Sequence, residues 1–120
     1  MTVHGADWFP LEAPALYSTE EVEAKDKIVV ARYVLGGSQW FIVEYDPETK
    51  LAFGYSILNG DSLNSEWGYV SMAELDELTV EVRTEFPETG QVYLWKVNVE
   101  RDTDWEPVCA GEVEDILIRV

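Results

Sequence analysis

The sequence predicts an α+β fold: a mainly antiparallel β-sheet of five or six strands with one or two short helices. Three observations indicate it, namely a β-branched apolar run, two pairs of alternating segments that flank short turns, and two capping-box sequences. At 120 residues, 47% of them apolar, the chain has the length and composition of one domain. Since no linker composition divides it, we expect a single compact domain over residues 1–120.

The first 16 residues are expected to lie as an extended arm against this domain, with Trp8 and Phe9 as its anchors. Aromatic side chains bury large apolar areas, which suits this role. His4 stands near the start of the arm, among residues that we expect to be mobile.

Two patterns follow the arm. Ser18 and Glu21 have the spacing of a capping box, which permits a short helical turn over Thr19–Ala24. Next, Lys27–Leu35 is β-branched and mostly apolar on both faces, which is typical of a strand covered on each side. A pair of glycines then ends this strand.

A hairpin is predicted from Gln39–Tyr45 and Leu51–Ile57, which flank a turn containing Pro47. In the second strand, bulky side chains alternate with Ala, Gly and Ser, so that one face is bulky and the other permits close approach. A polar loop then leads to another predicted strand, Glu66–Val70.

A short helix is predicted over Met72–Leu78. Ser71 precedes it, and Glu74 stands three positions further on, which completes a capping box. The outer side of this helix is expected to be acidic.

A second hairpin is predicted from Val80–Phe86 and Gln91–Glu100 around the turn Pro87–Gly90. Its apolar side chains alternate with polar ones and therefore share one face. Because they lie on regular strands, Trp40 and Trp95 are interpreted as core residues.

The C-terminal segment fits two structures. Apolar residues at helical spacing run from Val113 to Val120, and the acids among them suit a first helical turn. The run Ile116–Ile118 is also typical of a strand, so both structures remain open.

Cysteine and histidine counts exclude several kinds of site. With one cysteine, Cys109, and one histidine, His4, the chain lacks the residues for Cys/His zinc sites, haem attachment, redox pairs or a Ser-His-Asp triad. We therefore predict no metal, no cofactor and no catalytic residues. Cys109 is interpreted as a small, buried apolar residue.

The charge balance defines the class of partner. Twenty-four acidic against eight basic residues give a net charge of −16, which argues against direct binding to nucleic acid or to anionic membranes. No apolar run approaches the roughly 18 residues of a membrane helix, and no secretory signal is seen. The expectation is a soluble protein of the cytoplasm.

Most of the excess charge lies late in the chain. Residues 1–60 carry a net charge of −5 and residues 61–120 one of −11, and the densest stretch opposes seven acids only with Arg101. Partial burial is the ordinary interpretation of Trp105, and the functional hypothesis is that an acidic rim around an exposed Trp105 docks a basic protein. The predicted partner-binding residues are Glu100, Asp102, Asp104, Trp105, Glu106, Glu112, Glu114 and Asp115.

Other charged residues have ordinary interpretations. Glu44 and Arg32 occupy strand positions among apolar neighbours, and we interpret them as paired across strands or pointing to solvent. Asp61, Asn64 and the stretch Glu100–Asp104 offer oxygen ligands for calcium, but neither group matches the twelve-residue calcium-binding loop, so both are interpreted as solvated loops.

Four motifs between Leu16 and Leu78, about half of the chain, resemble a known family. They are Leu16-Tyr17-Ser18-Thr19-Glu20, Trp40-Phe41-Ile42-Val43-Glu44, Phe53-Gly54-Tyr55 and the stretch Glu66–Leu78. With these motifs the segment resembles a domain family of unknown function from small proteins of phages, plasmids and other bacterial mobile elements. The resemblance implies a phage or mobile-element origin, and the family has no established catalytic residues to carry over to this chain. After Leu78 the chain departs from the family pattern.

Three functions follow from these observations. The first is a non-enzymatic acidic interaction protein that inhibits or regulates a basic, nucleic-acid-handling host protein through a negative surface that acts as a DNA mimic. Such a protein would act against host defence, as anti-CRISPR and anti-restriction proteins do. The second is a small enzyme or ligand-binding protein that uses carboxylates such as Glu44. The third is a structural or assembly protein that binds through a sheet edge.

Overall fold

The computed structural model describes residues 3–117 of the chain. This part contains one α-helix, α1 (Met72–Glu77), and single 3-10 turns at Ala6–Trp8, Ala24–Asp26, Ser62–Asn64 and Ala110–Glu112. None of its helices has the length and apolar character needed to cross a membrane. In chain order its strands are β1 (Ile28–Val29), β2 (Ala31–Leu35), β3 (Ser38–Asp46), β4 (Leu51–Ile57), β5 (Glu66–Ser71), β6 (Thr79–Phe86), β7 (Gln91–Asn98), β8 (Glu100–Arg101) and β9 (Val108–Cys109).

Five strands form one antiparallel sheet in the order β5-β4-β3-β2-β8, while β1 pairs with β9 and β6 pairs with β7. This confirms the predicted α+β fold with a mainly antiparallel sheet. The predicted hairpins are β3–β4 and β6–β7, and the predicted helix is α1, where the Ser71 hydroxyl accepts a hydrogen bond from the Glu74 amide at 3.2 Å. The predicted strand Lys27–Leu35 is divided into β1 and β2. Cys109 is half-buried in β9.

The main sheet is covered on both faces, because successive side chains of a strand point to opposite sides. The N-terminal arm and α1 pack on one face, with a core of Trp8, Phe9, Ala31, Tyr33, Trp40, Ile42, Tyr45, Ala52, Val70, Met72, Leu75 and Val99. The C-terminal segment packs on the other, with a core of Val29, Phe41, Val43, Tyr55, Ile57, Ala110 and Ile116.

The β3–β4 pair contains a β-bulge, since its register shifts between Ile42 and Glu44. Gly54 lies against this bulge, and a Cβ atom there would fall within contact distance of the Phe41 carbonyl oxygen. The prediction that the small face of β4 permits close approach is therefore confirmed. The bulge also turns the Glu44 side chain toward the face that carries Phe53.

The start of the arm is fixed on α1. Asp76, which is 1% exposed, accepts hydrogen bonds from the Val3 and His4 amides at 3.0 and 2.8 Å, and its Oδ1 lies 2.8 Å from His4 Nδ1. His4 also stacks on Trp8, with ring centroids 4.3 Å apart. Two expectations are therefore wrong. His4 is held by the fold rather than mobile, and the outer side of α1 is not wholly acidic surface because the arm covers Asp76.

Further along the arm, Trp8 and Phe9 are buried against the main sheet. The Trp8 indole N–H donates to the Val99 carbonyl at 3.1 Å. The Arg101 guanidinium donates to the Asp7 and Phe9 carbonyls, both at 2.9 Å. The arm is thus joined to the residues that directly follow β7.

The β6–β7 hairpin forms a two-stranded ribbon separate from the main sheet. Trp95 on this ribbon is 52% exposed, so its interpretation as a core residue is wrong, whereas Trp40 is 6% exposed and is confirmed as core. The alternation of apolar and polar residues shows which side chains share a face of the ribbon. It does not show whether that face is covered, and within residues 3–117 no further layer of structure covers it. The shared apolar face carries Val80, Val82, Phe86, Tyr93, Trp95 and Val97.

Within Thr19–Ala24, where the sequence permits a short helical turn, the Val22 amide donates to the Thr19 carbonyl at 3.0 Å in one tight turn, and the 3-10 turn forms later, at Ala24–Asp26. The Ser18 hydroxyl donates to the carbonyl three residues earlier instead of capping a helix. The amide and hydroxyl of Thr19 both donate to Glu44. Tertiary hydrogen bonds therefore replace the capping box.

The C-terminal segment is neither helix nor strand over residues 113–117. The Val113 and Ile116 amides each donate to the carbonyl three residues earlier, at 3.1 Å, which makes successive tight turns rather than an α-helix. The Leu117 amide donates to the Tyr55 hydroxyl at 3.3 Å. The rest of the predicted segment, residues 118–120, lies outside the described residues.

Candidate functional site

The eight predicted partner-binding residues fall into two groups, one at and after β8 and one after β9. Six of them are exposed acids, and Asp102 and Trp105 are half-buried. The exposed acids are Glu100, Asp104, Glu106, Glu112, Glu114 and Asp115.

Asp102 is engaged within the fold. Its Oδ2 accepts a hydrogen bond from the Arg32 guanidinium at 2.9 Å, and its Oδ1 accepts one from the Asp104 amide at 3.0 Å. Arg32 also donates to the Gln39 side chain at 3.0 Å, which confirms its interpretation as an ordinary paired residue. The Asp102 charge is therefore balanced locally.

Trp105 fastens the C-terminal segment to the sheet. Its indole N–H donates to the Val29 carbonyl at 3.0 Å, and its ring packs against Phe41 with centroids 5.7 Å apart. A half-buried indole with both its N–H and its ring engaged contributes packing more than an exposed docking surface.

The fold joins the second acidic group to another acidic segment that lies some 90 residues earlier. The Ala110 amide donates to the Lys27 carbonyl at 2.8 Å, and Gly111 packs on Lys25. This contact brings the turn before β1 beside the turn after β9. The acidic surface, as we call it, comprises the exposed acids of both turns: Glu20, Glu21, Glu23, Asp26, Glu112, Glu114 and Asp115.

Lys25 is the exposed base within these two turns, and its ammonium lies 3.7 Å from the Glu23 carboxylate. An exposed pair of this kind contributes little to stability. The acidic surface therefore sets seven acids against one lysine, and these acids come from two segments that lie far apart in the sequence.

Beside the acidic surface lies a cavity of about 370 Å³, here called the aromatic cavity. The Tyr69 ring meets the Phe53 ring edge to face at 5.4 Å and the Tyr17 ring at 6.0 Å. Its lining residues are Tyr17, Glu20, Lys27, Glu44, Phe53 and Tyr69.

Glu44 is the buried carboxylate of this cavity and is 3% exposed. Its Oε1 accepts a hydrogen bond from the Tyr17 amide at 2.7 Å, and its Oε2 accepts bonds from the amide and hydroxyl of Thr19. The interpretation of Glu44 as a solvent-facing or cross-strand-paired residue is therefore wrong. Its carboxylate instead organises the turn that forms one wall of the cavity.

Lys27 is the buried base of the cavity and is 9% exposed. Its ammonium donates to the carbonyl and the hydroxyl of Thr19, the same hydroxyl that donates to Glu44. The ammonium also lies 5.7 Å from the centre of the Phe53 ring. Lys27 and Glu44 are thus linked through Thr19, and their charges offset each other.

Electrostatics at the mouth of the cavity are negative. Partial desolvation, the Tyr17 phenol and the carboxylates of Glu20 and Glu44 together raise the pKa of the Tyr69 phenol above its usual value of 10.0. Because Lys27 and Glu44 offset each other, the exposed carboxylate of Glu20 supplies the net charge there. The arrangement favours a neutral or cationic ligand over an anionic one.

The arrangement suits binding better than acid–base chemistry, because both oxygens of Glu44 already accept hydrogen bonds from the chain. Asp61, which the sequence offers as an oxygen ligand for calcium, instead accepts hydrogen bonds from the side-chain and backbone amides of Asn64 at 2.7 and 3.3 Å. Across residues 3–117, no group of three or more His, Cys, Asp or Glu side chains could hold a metal ion.

Sequence reasoning missed five lining residues of the cavity: Tyr17, Glu20, Lys27, Phe53 and Tyr69. Their positions span 52 residues and follow no spacing rule, since they meet only when the turn after the arm folds over β4 and β5. Two of the sequence motifs singled out above, residues 16–20 and 66–78, contain Tyr17 and Tyr69, but nothing in their spacing relates the two tyrosines. Comparisons with protein-family models, with curated proteins and with solved structures found no match to this chain.

Proposed function

We propose that this protein is a non-enzymatic, acidic binding protein that docks on a basic, nucleic-acid-handling protein of a host cell and inhibits or regulates it. The observation that carries the proposal is the acidic surface, in which the contact between Ala110 and Lys27 unites two acidic turns. Proteins that handle nucleic acid present lysine and arginine to phosphates, so a dense negative surface competes for the same groups.

The proposed interface differs in part from the eight residues predicted from the sequence. Glu112, Glu114 and Asp115 stay in it as exposed acids and are joined there by the acids of residues 20–26. Asp102 and Trp105 contribute structure instead, through Arg32 and the main sheet. Glu100, Asp104 and Glu106 form a second exposed group on the β8 side.

We further propose an origin in a phage or another mobile element, on the basis of the four motifs in residues 16–78. An acidic inhibitor of a restriction or CRISPR protein is one role that this origin would suit. Under this proposal the protein acts in the cytoplasm of the host.

The test is a pull-down from bacterial lysate with the tagged protein. A competition assay then measures whether this chain and nucleic acid compete for the same site on the captured partner. We expect the captured partner to bind a fluorescent duplex, and the chain to displace that duplex. Because the attraction is electrostatic, the affinity should fall steeply between about 50 and 500 mM salt. Salt-insensitive capture, or a partner that does not bind nucleic acid, would contradict the proposal.

A pair of matched triple variants locates the interface. Neutralising Glu112, Glu114 and Asp115 with Gln or Asn removes three charges from the acidic surface, and we expect it to weaken the complex at least about tenfold. Neutralising Glu81, Glu85 and Glu88 removes the same number of exposed charges from the ribbon and should change the affinity much less. Equal losses would point to net charge alone.

A further inference from the structure

The aromatic cavity is lined by Lys27 and by residues from four other segments that lie apart in the sequence, at residues 16–20, 40–44, 53–55 and 66–78. Tyr17 and Glu20 come from the first segment, Glu44 from the second, Phe53 from the third and Tyr69 from the fourth. These segments lie on the arm-proximal turn and on β3, β4 and β5, so their meeting is a result of the fold. The ribbon and the acidic turn after β9 contribute no lining residue.

The backbone at one wall of the cavity is held in an uncommon conformation. Tyr17 has φ of +72°, in the left-handed region that a bulky residue rarely adopts. Its amide is fixed by Glu44, and the amide and hydroxyl of Thr19 are fixed by the same carboxylate. The buried carboxylate of Glu44 thus stabilises a strained turn, and this turn places the Tyr17 ring beside Tyr69.

The size and walls of the cavity define its ligand class. Its volume of about 370 Å³ lies at the small end for ligand sites, which suits one side chain or one ring. Three aromatic rings line it, and Glu20 places a carboxylate at its rim. Aromatic faces with an adjacent carboxylate are the surroundings that bind a flat cation, and the guanidinium of arginine stacks on such rings and donates to carboxylates.

We propose that the aromatic cavity binds an arginine side chain of the partner protein, with the guanidinium against Tyr17 and Tyr69 and hydrogen-bonded to Glu20. The inference rests on the proposed function, which supplies the arginine. Glu20 belongs both to the cavity and to the acidic surface, so a partner docked on that surface would bring its side chains to the cavity. Guanidinium is favoured over ammonium because its planar, weakly hydrated group stacks on aromatic rings and presents several N–H donors to a carboxylate, whereas an ammonium is a compact, strongly hydrated charge.

The test is a titration of the full chain with N-acetyl-L-arginine amide, followed by ¹H–¹⁵N NMR. We expect saturable shifts of the backbone amides of Tyr17, Phe53 and Tyr69, with weak affinity in the millimolar range typical of one side chain. The citrulline analogue has the same shape without the charge and should give no saturable shift. The lysine analogue should bind at least about threefold more weakly.

Paired variants distinguish the cavity from the general negative charge of the chain. Glu20→Gln should weaken arginine binding about tenfold, whereas Glu21→Gln, which neutralises the next residue outside the cavity, should leave it unchanged. Tyr69→Ala should abolish binding, and Tyr93→Ala, a similarly exposed tyrosine on the ribbon, should not affect it. Both tyrosine variants are expected to remain folded, which the NMR spectra verify.

Three results would overturn the inference: no saturable shifts up to about 20 mM ligand, equal binding of the citrulline analogue, or shifts that E21Q reduces as much as E20Q does. A fourth result would also overturn it: saturable binding of cytidine at the same residues, stronger than that of the arginine analogue, would make the cavity a nucleobase site. The result is separable from the proposed function. If the cavity binds arginine but no nucleic-acid-handling partner is found, only the proposed function is contradicted. If such a partner is found but the cavity does not bind arginine, only the cavity assignment is contradicted.

Discussion

The buried carboxylate of Glu44 accepts a hydrogen bond from the backbone amide of Tyr17 at 2.7 Å, across 27 positions of the chain. Tyr17 adopts φ of +72° at this point, and its ring reaches the Tyr69 ring on the edge strand β5. A single side chain placed by the β-bulge in β3 therefore shapes the turn that borders both the aromatic cavity and the acidic surface. The shape of both proposed binding surfaces therefore depends on Glu44.

Replacing Glu44 by Gln is expected to lower the free energy of unfolding by about 2 kcal/mol. One oxygen of the carboxylate becomes an NH₂ group, which cannot accept the bonds from Tyr17 or Thr19. Urea unfolding followed by tryptophan fluorescence measures the change. Glu48→Gln, in the exposed β3–β4 turn, is the matched control and should cost under about 0.5 kcal/mol. Equal costs would show that Glu44 does not organise the turn.

The buried carboxylate of Asp76 makes stability depend on pH. Burial alone would raise its pKa, but the bonds from the Val3 and His4 amides and the His4 ring lower the pKa below the usual 3.8. A carboxyl whose pKa is lower in the folded state stabilises the protein above the unfolded-state pKa and loses that contribution as the pH falls through the folded-state pKa.

Asp76→Asn should therefore be less stable than the wild type by about 2 kcal/mol at neutral pH. The difference should begin to shrink below about pH 4, where the carboxyl of the unfolded chain takes up a proton, and should continue to shrink as the pH falls through the lower folded-state pKa. Urea unfolding of both proteins across this range checks it, with Glu74→Gln on the exposed side of α1 as the control. A difference that stays constant down to about pH 2 would exclude the titration of Asp76 as its source.

Two glycines that face each other across β4 and β5 should differ in tolerance to a methyl group. Gly54→Ala places a Cβ against the Phe41 carbonyl at the bulge, and we expect a loss of at least about 2 kcal/mol. Its register partner, Gly68, has no heavy atom within 4 Å of a Cβ built there, so Gly68→Ala should cost under about 0.5 kcal/mol. Thermal unfolding of both variants measures the contrast, and similar costs would mean that the bulge relaxes.

Two tryptophans on regular strands should contribute very differently to stability. Trp40 is buried in the core of the main sheet, and Trp40→Ala should cost about 3–5 kcal/mol. Trp95→Ala on the ribbon should cost no more than about 1 kcal/mol. The Trp95 side chain is 52% exposed, and its indole N–H donates to the Thr84 hydroxyl on the neighbouring strand of the same ribbon. Chemical unfolding gives both values. A large cost at Trp95 would show that another layer covers the ribbon.

The sequence predicted the elements whose partners are close along the chain. The β3–β4 and β6–β7 hairpins and α1 each depend on alternation, turn residues or a Ser71 cap, which act over a few positions. The errors lie where distant segments compete for the same groups. Thr19 bonds Glu44 instead of continuing a helix, and the arm takes Asp76 away from solvent.

The amino-acid order alone was sufficient for the charge of −16, the β-rich fold class and the pairs of strands that adjoin in sequence, because these follow from composition and from local periodicity. Periodicity shows which side chains share a face but not whether another layer covers it. Only the tertiary structure therefore left Trp95 exposed and packed Trp105. It likewise brought the acids at residues 20–26 beside Glu112, and Tyr17 beside Tyr69, since each contact joins segments that no local pattern relates.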